Sequence, residues 1–517
     1  MKIRTLFLIS FLIGISFSCS KNENVVEQLP KPTITSVKID GVVYENENTD
    51  VDKLNYVITL PEDSEVDIRE AALEIQFEHG ELVDFTNDPN KKMNLSSPVN
   101  IKLRSVGDDV YSWIYNWRVV VTRERNFEER IIVIADKQYT ALMETERINK
   151  DISYTYLVIE KDFPARIHVL EVDINETNDF AFEAVQGGGY VTTRESPLKV
   201  AQERSDIIAL VNCDFFNMDG NLAYQFSPFG ATIINGRIFT SLDNNALTFD
   251  AVLGFDENNT PSITKVAPSV VGTVGKKGGT AWPLTDINRA RGAGKLVVYT
   301  PDLGLESVKT NEWGSEVVAQ LSNNKKWEDI RELDEIEVTV ISQPTGSGQT
   351  ADSKIPENGV VLSGHGTHTD GHSNLDVIQS FRQGDQLVIS AELRERDTNN
   401  KITAHNLLGG HAVILKDETK LKASPADDIS NQRHPRTGIG YTKDKKKVIM
   451  IVVEGRIGDI EGVTTSELSD VFLFFDASDA MNFDGGGSSN MIINGLRVND
   501  GDDYIRPVST MFAIVRK

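Results

Sequence analysis

Near the end of the chain one carboxylate stands beside three glycines and two hydroxyls, in Asn482-Phe483-Asp484-Gly485-Gly486-Gly487-Ser488-Ser489. Each glycine loses much backbone entropy on folding, so such a run suits a sharp turn or a backbone lying against a ligand. Three further polar segments follow or interrupt apolar ones. They are Asn212-Cys213-Asp214, Arg433-His434-Pro435-Arg436-Thr437-Gly438-Ile439-Gly440, and Glu454-Gly455-Arg456 behind the run that begins at Val448. Paired carboxylates suit acid, base or nucleophile roles on a sugar. Arginines suit bidentate recognition of an anionic oxygen pair such as phosphate. The combination points to a sugar carrying a phosphate. A phosphate leaving group is a weak base, so neutralising its charge matters more than protonating it. One carboxylate then suffices to activate water or attack the anomeric carbon. Taken singly, each segment has a plainer reading: Glu454 and Arg456 as a surface ion pair, Arg433 and Arg436 as exposed cations, Asp484 as a cap on its own loop.

Other motifs carry less. His365-Gly366-Thr367-His368-Thr369-Asp370-Gly371-His372 offers three imidazoles and a carboxylate to zinc or nickel. It lacks the His-Glu-x-x-His helix spacing, and Gly366 and Gly371 suggest a mobile loop. No metal ligand is assigned on this basis and no cofactor is firmly implied, although a divalent cation stays open. Asp500-Gly501-Asp502-Asp503 has calcium-like residues without the full loop spacing. Gly485 to Ser489 has neither the lysine of a P-loop nor the Gly-x-Ser-x-Gly elbow of a serine hydrolase.

The elements that must position these residues read mostly as strands. Ile207-Ile208-Ala209-Leu210-Val211 is a buried strand running into Asn212, and Arg166 to Val172 alternates apolar and polar residues. Ser196-Pro197 marks a helix start. Ala231 to Arg237 resembles Asn490 to Leu496, and both read as a strand ending in an Asn-Gly hairpin turn. Each follows an Asn-x-Asp element, so a duplication would let Asn212 and Asp484 face each other. Gly410 to Asp417 is a looser third copy. Ahead of this region, residues 33–125 show short alternating strands at Thr33–Ile39, Tyr56–Leu60, Ala72–Phe77, Val99–Leu103 and Trp117–Thr122, the pattern of a small β-sandwich. Residues 126–517 are expected to form one large mixed α/β, or α+β, domain.

At the N-terminus, Lys2 and Arg4, an apolar run from Leu6 to Phe17, and small residues before Cys19 describe an export signal at 1–18. A polar, proline-containing tether follows at 19–32. The only other cysteine is Cys213, expected as a buried small hydrophobe. The formal charge of −24 repels nucleic acid and anionic lipid surfaces, and no basic patch with interleaved aromatics appears.

Several segments resemble known families. The cysteine at the signal's end resembles a bacterial lipoprotein signal, which implies lipidation of Cys19 and a membrane-anchored protein of the cell envelope. The front unit resembles the immunoglobulin-like modules of Bacteroidetes surface lipoproteins, which implies a spacer. The C-terminal region resembles the phosphodiester glycosidase family, which includes the lysosomal mannose-6-phosphate uncovering enzyme. That resemblance rests on Asp484 to Ser489 with Asn494-Gly495 and Arg506-Pro507-Val508-Ser509. It rests also on Arg433 to Gly440, and on Val453 to Arg456 with Gly462-Val463-Thr464 and Glu467-Leu468. It implies hydrolysis of the glycosidic bond in a sugar-1-phosphodiester, typically of α-linked N-acetylglucosamine, releasing sugar and a phosphomonoester. Carried onto this chain, it implies Asp484 or Glu454 as the catalytic carboxylate. Asn212, Asp214, Arg433, Arg436, Arg456, Gly485, Gly486, Ser488, Ser489 and Arg506 would line the substrate site. Arg436 and Arg456 would hold the phosphate, and the glycine loop would give backbone donors. Asp214 departs from the family's Asn-x-Gly-Phe-Phe pattern. Two other readings remain at this stage: a non-catalytic surface protein binding glycans or sugar phosphates, and a metal-dependent phosphodiesterase using the His365–His372 loop.

Overall fold

The computed structural model describes residues 31–517 except 48–53, 62–63, 65, 67–70, 84, 86, 94, 96–98, 106–113, 124–126, 176–178, 220–223, 244, 347–351 and 501–504. The signal at 1–18, Cys19 and most of the tether lie outside the described residues, as does most of the Asp500–Asp503 segment. The chain divides into two compact units, 1–124 and 125–517.

Among its described residues the first unit is all-β, with two four-stranded sheets. Strands lie at Thr33–Ile39, Asn55–Leu60, Ala71–Glu78, Val99–Ser105 and Ile114–Arg123, where alternation placed them, and three short strands complete the sheets. Both sheets feed one core, with Val37, Ile39 and Leu73 from one and Ile58, Ile101 and Val119 from the other. Alternation produces this directly: in Val99–Ser105 the inward residues Ile101, Leu103 and Ser105 are buried, while Asn100 and Lys102 are exposed.

Among its described residues the second unit forms sheets of nine, five, five and eight strands. Among its described residues the α-helices are short: Pro197–Glu203, Asn374–Ser380, Asp428–Asn431 and Thr465–Phe474. The expected mixed α/β domain is therefore mostly antiparallel sheet. The sequence explains this, because its apolar stretches alternate or run through β-branched residues, and few hold the 3.6-residue period of a helix.

The strand Lys447–Val453 shows how the layers form. Its last six residues are all buried. Val448, Met450 and Val452 join one core; Ile449, Ile451 and Val453 join another. The nine-stranded sheet is thus covered on both faces. On one side lies the Thr465–Phe474 helix, through Leu468, Val471 and Phe472. On the other lie strands of the two five-stranded sheets, through Val211, Leu253, Met491 and Phe512. The next strand, Arg436–Tyr441, meets the helix at close range: a methyl at Gly438 would stand 2.8 Å from the Phe472 ring. Both Asn-Gly turns are present. Asn235-Gly236 and Asn494-Gly495 have φ of 50°, 82°, 49° and 76°, and each joins two paired strands. The third copy also turns back, at Asp417-Glu418, to pair with Thr419–Lys420.

Candidate functional site

Strand Ile207–Asn212 and strand Asp479–Asn482 belong to different sheets, and their ends meet. Asp484 donates its backbone N–H to the Cys213 carbonyl (2.8 Å), and the Asn212 amide donates to the Asp484 carbonyl (2.7 Å). The Asn212 side-chain oxygen accepts from the Thr437 hydroxyl (2.7 Å) and the Asn490 N–H (3.0 Å). Asn212 is wholly buried. It fastens both ends of the glycine loop, and its side chain is not presented to a ligand as expected.

The loop's glycines are required by what crowds them. A methyl at Gly485 would lie 2.5 Å from the Pro435 carbonyl. At Gly486, where φ is +60°, it would lie 3.1 Å from the Arg456 guanidinium; at Gly487, 2.8 Å from that of Arg506. The expected backbone donors are mostly occupied. Gly485 N–H goes to the Asp484 carboxylate (2.9 Å), Gly486 N–H to the Pro435 carbonyl (2.9 Å), and those of Ser488 and Ser489 to carbonyls within the loop. What the loop offers instead is room. It lets two exposed arginines lie against bare backbone beside Asp484. Neither Arg456 nor Arg506 forms an ion pair with a carboxylate within 4 Å among the described residues.

Burial pushes the Asp484 carboxyl up to about 6, against the opposing pull of Ser488, Arg506, the Gly485 N–H and Arg436. It therefore changes charge near neutrality, where an acid–base group is most effective. Glu454 contrasts with it. Burial raises its pKa, but hydrogen bonding to His168, the His168 charge, the Asp500 N–H and Arg166 together bring it below the ordinary value. His168 Nε2 lies 2.8 Å from Glu454 Oε1, and His168 Nδ1 lies 2.8 Å from the Tyr154 hydroxyl. The Asp500 N–H reaches the same Glu454 oxygen at 2.6 Å. Glu454 is 3 % exposed, an ionised carboxylate locked inside the fold.

Three other expected ligands serve the scaffold. Arg436 is 1 % exposed and turns inward, donating to the carbonyls of Val463 (2.9 Å), Gln432 (2.7 Å) and Ile429. Burial lowers its pKa to about 10. Arg433 pairs with Glu467 (2.7 Å) and Glu461 (3.2 Å) and lies over the Phe163 ring. Glu467 itself closes a capping box with Thr464 at the start of the Thr465–Phe474 helix. Asp214 is buried, accepts from Gly230 N–H (2.7 Å), and packs against the Gly409 backbone. Burial pushes its pKa to about 8. Arg436 and Asp214 are thus buried within the fold, while Arg433 stays exposed at the helix cap.

The structure adds residues the sequence reading missed. His434 accepts from Arg456 through Nδ1 (3.1 Å), and desolvation, with Arg436 and Arg456 nearby, lowers its pKa. His168 and Arg166 surround Glu454. Alternation along Arg166-Ile167-His168 puts both on one face of a largely apolar strand, a signal that could have drawn notice. Buried polar atoms without a hydrogen-bond partner among the described residues also gather here: both amide atoms of Asn482, Ser489 Oγ and Asn490 Oδ1. Each costs about 1–3 kcal/mol if left unpaired, so their concentration marks a place where water or a ligand completes the bonding.

Residues 335–515 match the family model described as phosphodiester glycosidase. That span includes Glu454, Arg456, Asp484 and Arg506 and leaves out Asn212 and Asp214. No curated protein matches the chain. Among solved structures, a hypothetical protein from Synechocystis is 12% identical, with a TM-score of 0.57, covering 87% of this chain and 78% of that one. A protein from Burkholderia pseudomallei is 18% identical, with a TM-score of 0.51, covering 68% and 74%. Both share the fold. The catalytic domain of zebrafish N-acetylglucosamine-1-phosphodiester alpha-N-acetylglucosaminidase, auto-inhibited by its pro-peptide, is 12% identical at a TM-score of 0.34, covering 76% and 88%. The stretch that holds the glycine loop, its two arginines and its carboxylates thus lies within residues 335–515, the part of the chain that matches the phosphodiester glycosidase family model.

Proposed function

We propose that the second unit hydrolyses the glycosidic bond of sugar-1-phosphodiesters, of the α-N-acetylglucosamine type, releasing sugar and a phosphomonoester. The observation that carries this reading is the placement of Arg456 and Arg506 against Gly486 and Gly487, beside Asp484. Two guanidiniums without carboxylate partners suit a phosphodiester. The neighbouring carboxylate, with its pKa raised to about 6, acts in its ionised form on the anomeric carbon or on the attacking water. The phosphate departs without strong protonation because the arginines neutralise its charge. Glu454 is set aside as the reacting group because it is buried and one of its oxygens is bound twice. The front unit, with its two four-stranded sheets, is read as an immunoglobulin-like spacer behind a lipidated Cys19, holding the enzyme at the cell envelope.

The test is a panel of sugar-1-phosphodiesters offered to the purified protein. Free sugar should appear with wild type and fall about 10²–10⁴-fold with Asp484→Asn. Tight sugar-phosphate binding without release of sugar would overturn the reading in favour of a binding protein.

A further inference from the structure

The turn between strand Gly359–His365 and helix Asn374–Ser380 gathers donors that the proposed glycosidase chemistry does not use. His368, Asp370 and His372 bring one ligand atom each within 4.8 Å of one another. The turn is hydrogen-bonded within itself. His368 N–H bonds to the His372 carbonyl (2.9 Å), Gly371 N–H to the His368 carbonyl (2.9 Å), and Asn374 N–H to the Gly366 carbonyl (2.9 Å). The two imidazoles stack with centroids 4.8 Å apart, and Trp282 lies 5.0 Å from His372. Their side chains are 18% and 12% exposed, that of Asp370 49%. His365 lies at the strand's end and is outside the cluster.

The hydrogen bonds set the direction of the lone pairs. His372 Nε2 faces the Asn374 side-chain oxygen at 3.1 Å, and Asn374 is wholly buried. An amide oxygen only accepts, so Nε2 donates to it, and Nδ1 faces Asp370 Oδ1, its close partner. His368 Nδ1 accepts from the Asp370 N–H (3.3 Å) and lies 3.0 Å from the same carboxylate oxygen. Two imidazole nitrogens and a carboxylate oxygen converge on one point. Such acceptors repel unless a proton or a cation stands between them. Asn374 supplies the outer partner that metal-bound histidines use to fix ring orientation.

We propose that His368, Asp370 and His372 form a binding site for a borderline divalent cation of the zinc class, with two nitrogens and one oxygen as ligands and a fourth position left to water. Bound there, the ion would clip the 365–374 turn beneath Trp282. It is a structural site, separate from the sheet that carries Asp484.

The test uses the full chain. It is dialysed against excess zinc, freed of unbound metal, and analysed for metal by mass spectrometry, with melting followed in zinc and in chelator. The expected result is one equivalent of zinc per chain and a melting temperature that zinc raises and chelator lowers. The His368→Ala/His372→Ala pair should bind at least 10-fold more weakly. Asp370→Asn, whose side chain is half exposed, gives the same answer without disturbing the Trp282 contact. Absence of zinc from wild type, or equal zinc in wild type and Asp370→Asn, overturns the proposal.

Discussion

Asp484, Arg456 and Arg506 carry the proposed chemistry, and each makes a separate prediction. If Asp484 reacts as a carboxylate, kcat/KM rises with pH through about 6, its shifted pKa. A falling limb there would make it the acid instead. Arg456→Ala and Arg506→Ala should each lower kcat/KM about 10–100-fold, the worth of one charged hydrogen bond, with melting temperature nearly unchanged since both are exposed. Arg436→Ala should do the reverse and cost about 3 kcal/mol or more of stability by leaving buried carbonyls unpaired. Asp214 bears on stability against pH. Its carboxyl remains protonated in the fold up to about 8, while the unfolded chain ionises near 4. Between those values the unfolded state holds fewer protons, so stability falls as pH rises from about 4 to about 8. Asp214→Asn cannot ionise; its melting temperature should match wild type near pH 4 and exceed it at pH 8, by more than about 1 kcal/mol of stability. The sequence displayed these residue types but not their aim. Arg433, Arg436 and Arg456 look alike in one dimension. Only the fold shows that the first is bound to a helix cap, the second to carbonyls, and the third to a neutral histidine beside a bare glycine.

Among the elements, the strand Arg436–Tyr441 and the helix Thr465–Phe474 place the loop. Gly438 and Gly440 let that helix settle on the sheet, with Phe472 over both glycines. Gly438→Ala would force a methyl into the Phe472 ring, and the expected loss is about 1–3 kcal/mol, measurable by denaturant unfolding. Much at this scale was legible. The Asn-Gly pairs are hairpin turns, since they need positive φ at both positions. The Asn-x-Asp echo was also informative, because the strand ends carrying Asn212 and Asp484 are hydrogen-bonded together. The shortage of helix was less apparent. Continuous apolar runs such as Val448–Val453 fit a buried strand or a buried helix segment equally well until their neighbours are known.

At the scale of the whole molecule, the chain joins a unit whose described elements are strands to a larger, mostly β unit in which sheets pack on one another and the helix Thr465–Phe474 covers one face of the nine-stranded sheet. Its disulfide-free stability follows from core burial in a long chain, with Cys213 buried as a small apolar residue. The lipid anchor proposed at Cys19 predicts that Cys19→Ala moves the protein from the membrane fraction to the soluble one. The central claim is that the bond broken is the one between the anomeric carbon and oxygen. It is tested most directly by hydrolysing a sugar-1-phosphodiester in oxygen-18 water and weighing both products. The account predicts the label in the sugar and none in the phosphomonoester; label in the phosphate would show attack at phosphorus and contradict it.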